Sequence, residues 1–132
     1  MVVKCAFCVL VALAISGCAS EITVPVTGQM SNGLAMAGQS TARMSAPGDF
    51  WVQAPGGLRC SGQYDASIME PTIVIPVQCS DGAAGEVVAT RRVGTGGGVA
   101  IAKLKDGRTG QFVFGNLTFE QAYGAGGKAT LR

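Results

Sequence analysis

The residues able to do chemistry in this sequence are few, and their spacing narrows what that chemistry could be. Five cysteines stand at positions 5, 8, 18, 60 and 79, and histidine is absent. Without imidazole, the commonest general base and a frequent metal ligand are both missing. Two thiolates alone make a poor zinc site and no CxxC pair follows Cys18, so no metal and no resident cofactor are expected. Serines are numerous, but no Gly-x-Ser-x-Gly elbow or Ser-x-x-Lys stands among them. Asp65 and Glu70 flank a short segment and could pair as two carboxyls for glycoside hydrolysis, which needs a cleft and one acid of raised pKa. Between them, Ala66-Ser67-Ile68-Met69 reads as a hairpin connection. No catalytic residue is assigned, and a small carboxylate-dependent hydrolase is the weakest of the function classes.

Binding features are the next candidates. Gly94-Thr95-Gly96-Gly97-Gly98 has the look of a phosphate loop, but no Gly-Lys-Ser/Thr follows and Val99-Ala100-Ile101-Ala102 reads as a strand. A flexible hairpin connection is the better reading. Arg91 and Arg92 close one strand, and Lys103 and Lys105 close the next. They form a candidate patch for an anionic sugar, a lipid headgroup or a peptidoglycan carboxylate. The plainer reading is solvated charge that keeps strands from pairing with other chains. Trp51, with Phe50 and Tyr64, is the one aromatic cluster. Alternation puts Trp51 opposite Phe50, so one of the two faces outward and offers a stacking surface to a sugar or a partner.

The N-terminus has the three parts of an export signal. Lys4 and the free amine are positive, Cys5 to Ile15 carry no charge, and Ser16, Gly17 and Cys18 make a small-residue processing site. Eleven helical residues reach about 16 Å, short of a hydrocarbon core of about 30 Å, so a permanent transmembrane helix is not expected. The stretch Leu13-Ala14-Ile15-Ser16-Gly17-Cys18 resembles the signal of bacterial lipoproteins. That resemblance covers roughly the first twenty residues. It implies a place rather than an activity. The resemblance implies that diacylglycerol is attached to the thiol of Cys18, that a peptidase cuts before it, and that the new amine is acylated. Two or more chains hold a protein stably where one holds it marginally. Ala19 stands where many Gram-negative relatives carry the aspartate of inner-membrane retention, which implies the outer membrane, with either face open.

With Cys5 and Cys8 in the leader and Cys18 acylated, Cys60 and Cys79 remain as a pair in a compartment that favours disulfides. Closing a loop of about twenty residues stabilises by about 3 kcal/mol. Ten basic residues stand against eight acidic ones, and Lys4 leaves with the signal. So near-neutral a chain has no general attraction for nucleic acid. Hydrophobic residues are mostly small and aromatics make up 6%, which predicts a thin core. Glycine occupies 20 of 132 positions, roughly twice the usual ~7%, and sits between β-rich runs where turns belong.

The alternation of apolar side chains sets the elements. Ala19 to Thr27 reads as a tether into a first edge strand. An Asn32-Gly33 turn precedes a loose strand in which Leu34, Met36 and Gly38 share a face. Phe50 to Gln53 is a short strand between turns. Leu58, Cys60, Gly62 and Tyr64 fall on one face, as do Ile73, Ile75, Val77 and Cys79, so the two cysteines can bridge neighbouring strands from within. Pro76 has no N–H for a ladder, which predicts an edge or a bulge there. Asp81-Gly82 and Asp106-Gly107 head a weak repeat offset by 25 residues, Asp-Gly-x-x-Gly before a strand. It implies paired hairpins, Thr72–Cys79 with Gly85–Arg92 and Val99–Lys105 with Gly110–Phe114. Leu117 to Tyr123 could form one helical turn.

The expected fold is mainly β. It is a single small antiparallel sheet, or a partly open barrel or sandwich, of consecutive hairpins stapled by Cys60–Cys79. Residues 1–17 are the signal, 18–27 the lipidated tether, 28–119 the β domain and 120–132 a tail. The expected function is that of an envelope lipoprotein with a structural or partner-binding role. Its partners are the membrane, through the lipid, and an envelope protein or cell-wall glycan. The first alternative is a glycan-binding module using Trp51, Arg91, Arg92, Lys103 and Lys105.

Overall fold

The structure, a computed structural model, describes residues 21–124. Cys18 and the stretch expected from the sequence to be a lipidation signal, and residues 125–132 of the expected tail, lie outside the described residues. The strands are β1 (Glu21–Met30), β2 (Ala35–Arg43), β3 (Gly48–Gln53), β4 (Arg59–Tyr64), β5 (Thr72–Cys79), β6 (Ala84–Arg92), β7 (Gly97–Leu104) and β8 (Thr109–Gly115), followed by α1 (Phe119–Tyr123). Each strand pairs antiparallel with the next, and β8 returns to β1 through Val26↔Phe114 to Met30↔Gly110. The consecutive hairpins expected from the sequence are present, and they close into a full barrel rather than a partly open one.

Four of the connections are built alike. Met30, Ala54, Cys79 and Leu104 each donate their N–H to the carbonyl of Leu34, Leu58, Ala83 and Arg108, at 2.8–2.9 Å. Gly33, Gly57, Gly82 and Gly107 donate back at 2.8–3.0 Å, with φ between 86° and 105°. A three-residue loop ending in left-handed glycine is a preferred hairpin closure, because it matches the twist of the flanking strands. In three of the four, the residue before the glycine takes the N–H two residues on, through Asn32, Asp81 and Asp106 Oδ1, each at 3.0 Å. The Asp-Gly repeat is therefore two copies of a fourfold pattern. The other copies are spelled Asn-Gly and Gly-Gly, which hides them from a residue-by-residue alignment.

All four turns lie at one end of the barrel. Met30, Ala54, Cys79 and Leu104, buried beneath them, form its floor together with Met36 and Cys60. Cys60 and Cys79 are bonded to each other and directly paired across β4 and β5. That ladder holds only Cys60↔Cys79 and Ser61↔Gln78, whereas β1 and β2 pair over nine residues. The disulfide thus staples the weakest seam.

Three expectations are corrected. The tether boundary at residue 27 falls inside β1, which starts at Glu21 and pairs from there with Arg43. Pro25 is tolerated because β8 pairs with β1 only from Val26 onward. Pro76 marks neither an edge strand nor a bulge. It is paired with Glu86 on one side and lies beyond the end of the β4–β5 ladder on the other, so its missing N–H costs no bond. The boundary at 119 cuts α1, whose start is set by a capping box: Thr118 Oγ1 accepts from Gln121 N at 3.1 Å and Gln121 Oε1 from Thr118 N at 2.8 Å. Tyr123 is buried on the outer wall, where its hydroxyl donates to the Phe112 carbonyl at 3.0 Å, with that of Ala100 at 3.2 Å.

Candidate binding cavity

An eight-stranded barrel is just wide enough for its side chains to fill it or to hold one small ligand, and the size of the inward residues decides which. Here the inward positions of β2 read Met36, Gly38, Ser40 and Ala42, those of β6 include Val87 and Ala89, and β7 offers Ala100 and Ala102. Glycine at several inward positions, Gly38 and Gly85 among them, lets the strands coil tightly. A Cβ on Gly38 would come 1.8 Å from the Trp51 carbonyl oxygen, and one on Gly85 2.1 Å from that of Lys103. Small walls leave a cavity of about 450 Å³ along the axis. That volume lies within the ~300–1,000 Å³ of small-molecule sites.

The lining is hydrocarbon and aromatic. Phe50, Phe112 and Phe114 project into it among valines, isoleucines and alanines, and Gly62 leaves room for the Phe50 ring. No charged or polar residue is buried among the described residues. One polar pair interrupts the apolar wall near the open end, Ser40 Oγ with Tyr64 Oη at 2.8 Å. At the mouth itself stand Arg91, with the inward parity of Val87 and Ala89, and Arg92. The Arg91 guanidinium touches the Glu70 carbonyl at 3.4 Å. The four hairpin turns close the far end. Such an interior can bind an apolar body and offer polar contacts at one end, and it presents no pair of groups for acid–base work.

The outer face is mixed: Val74, Val88 and Ile101, paired across β5, β6 and β7, make an apolar patch, and polar side chains stand elsewhere. Thr23, Thr27 and Gln29 of β1, Thr72 and Gln78 of β5 and Glu86 and Thr90 of β6 alternate with the inward residues.

The residues singled out from the sequence are not brought together. Arg91 and Arg92 sit at the mouth, whereas Lys103 and Lys105 are at the floor end of β7, about 20 Å away at ~3.4 Å per residue. The antiparallel turn at 93–96 carries the chain back, so the C-terminal ends of successive strands lie at opposite ends of the barrel. Trp51 faces outward and Phe50 inward, but Trp51 is half-buried, with the Arg59 guanidinium 4.3 Å from its ring centre. One face of its ring is taken by this cation–π contact. Asp65 accepts from both the N–H and the hydroxyl of Ser67, which hold its carboxyl below the usual range, the reverse of what a general acid needs. The Gly94–Gly98 run is divided between the β6–β7 turn and the start of β7 at Gly97, and in the turn Thr95 Oγ1 donates to the Arg92 carbonyl at 2.7 Å. What sequence reasoning missed is the lining itself. Its signal was present, as inward positions held by glycine, alanine and serine where a filled barrel needs bulk.

Comparison of the chain with protein-family models, with curated proteins and with solved structures finds no match. Function is therefore argued from the cavity.

Proposed function

We propose that this chain is an exported envelope lipoprotein, anchored through Cys18, whose role is to bind one apolar molecule inside its barrel. The partner-binding role expected from the sequence thus takes an apolar guest. The observation that carries this reading is the hydrocarbon-walled cavity of about 450 Å³, floored at one end and open at the other. An apolar cavity of about 150 Å³ stays dry and takes up benzene, so a larger one of the same lining favours a guest over water. The guest's apolar body lies toward Val77, Val87 and Phe112, and any polar end stays near Ser40, Tyr64 and Arg91. Nothing about Trp51 favours the glycan alternative, since it is half-buried and Arg59 covers one face of its ring.

Native mass spectrometry of the full-length protein, purified from membranes, tests the reading. Wild type carries a noncovalent apolar adduct. Ala89→Phe, which places a ring in the upper cavity, lowers occupancy by about tenfold, equivalent to ~1.4 kcal/mol. An adduct of equal abundance in both proteins, or none in wild type, removes the proposal.

A further inference from the structure

The large apolar side chains left exposed are not scattered. Among the described residues they are Ile22, Met44, Ile68, Met69, Val74 and Val93. All except Val74 belong to the open end. Ile22 is the second residue of β1, Met44 follows β2, Ile68 and Met69 lie between β4 and β5, and Val93 follows β6. Met69 is 88% and Val93 96% exposed, and Ile22 and Val93 also line the cavity. The floor end has no counterpart, its turns carrying Asn32, Asp81, Asp106 and Lys105. Exposed apolar groups gathered on one rim mark a contact surface, where single ones would need no explanation.

We infer that this rim seats on the lipid bilayer, mouth down, so that the cavity opens onto the acyl layer and its guest is a lipid chain taken directly from that leaflet. The inference rests on the anchor at Cys18 and on the apolar-guest reading. The path of the chain selects this occupant over a protein. β1 begins at the mouth, and only Ala19 and Ser20 separate Glu21 from Cys18. Three Cα steps of 3.8 Å span about 11 Å at most, so an acylated Cys18 holds the rim within that distance of the membrane. Charge does not drive the contact. The arginines of this end, Arg43, Arg91 and Arg92, are more than matched in number by the acids Glu21, Asp49, Asp65 and Glu70, and Arg43 is already paired with Glu21 at 2.9 Å and Asp49 at 2.7 Å. Seating is carried by the apolar side chains, and zwitterionic lipid suffices.

The test uses the acylated full-length protein in phosphatidylcholine vesicles brominated on the acyl chains, with tryptophan emission as the readout. Wild type reports from Trp51 on the wall. In a Trp51→Phe background, Met69→Trp and Val93→Trp report from the rim, and Val74→Trp from the wall again. The rim reporters lose about half their emission, as for groups buried ~5–10 Å into the interface, while both wall reporters keep theirs. The pattern persists from roughly 0.1 M to 1 M salt, across which charge contacts are screened out. Unquenched rim reporters, equal quenching of rim and wall, or loss of quenching in salt overturns the inference. Amide exchange of loops 44–47, 65–71 and 93–96 on and off wild-type vesicles reads the same contact without substitution, and unchanged exchange there also overturns it. The two readings fail separately. Quenching lost with the adduct retained removes the seating alone, and the adduct lost with rim quenching intact removes the guest.

Discussion

Single residues here act mostly by being small or by closing a turn. Gly38 and Gly85 sit where a Cβ would strike the neighbouring strand, so these positions set both the coil of the barrel and the room inside it. At the floor, one arginine joins two of the turns. Arg108 reaches Asp106 at 2.7 Å and Asp81 at 2.9 Å, and its own pKa is raised by both. Asp106 is held below the usual carboxyl value chiefly by the Arg108 side chain. Asp81 is held down chiefly by the Ala83 N–H and then by Arg108. Carboxyls of lowered pKa add stability above the ordinary value of 3.8, and it is lost as pH falls through the lowered ones. Arg108→Ala should therefore move the Asp106 titration up toward 3.8 and that of Asp81 by less, read by carbon NMR of the two carboxyls. Equal shifts, or none, would contradict the geometry.

At the scale of elements, α1 is the piece whose attachment can be tested alone. Its capping box positions five residues, and Tyr123 fastens them to the wall beside buried Val113. Burial pushes the Tyr123 phenol above its ordinary value of 10.0. A raised folded-state pKa means that the stabilisation is complete below pH 10 and disappears as pH climbs through the raised value. Tyr123→Phe keeps the ring but removes the hydrogen bond, at a cost of about 1 kcal/mol. Urea unfolding at pH 8 should show that loss. Well above pH 10 the order should narrow and then reverse, because only wild type has a phenol to ionise. A constant difference across pH would show that the hydroxyl does not hold the helix.

For the whole molecule the question is where the closed barrel would open. Hydrogen bonds are densest between β1 and β2 and between β6 and β7, and sparsest between β4 and β5, where two residue pairs and one disulfide carry the seam. Reducing Cys60–Cys79 should cost about 3 kcal/mol. Amide exchange should rise first in β4 and in the mouth half of β5 before it spreads. Uniform acceleration over all strands would mean that the seam is no weaker than the rest.

Much of this architecture is written in local pattern. Alternation of Leu58, Cys60, Gly62 and Tyr64, and of Ile73, Ile75, Val77 and Cys79, determined the two faces and the disulfide, because a strand sends successive side chains to opposite sides. Asn32-Gly33 and the two Asp-Gly corners determined turns, because they need a left-handed residue after a side-chain acceptor. Closure of β8 onto β1 depended on summed twist and coil, which no single segment carries. The cavity depended on closure, since Ala89, Ala100, Phe50 and Phe112 face one another only once the sheet has curled through a full turn. The separation of Arg91 and Arg92 from Lys103 and Lys105, and the gathering of Ile22, Met44, Met69 and Val93 on one rim, were likewise decided in three dimensions. Antiparallel strands bring alternate connections to the same end, so residues distant along the chain share a mouth while near neighbours stand a barrel's length apart.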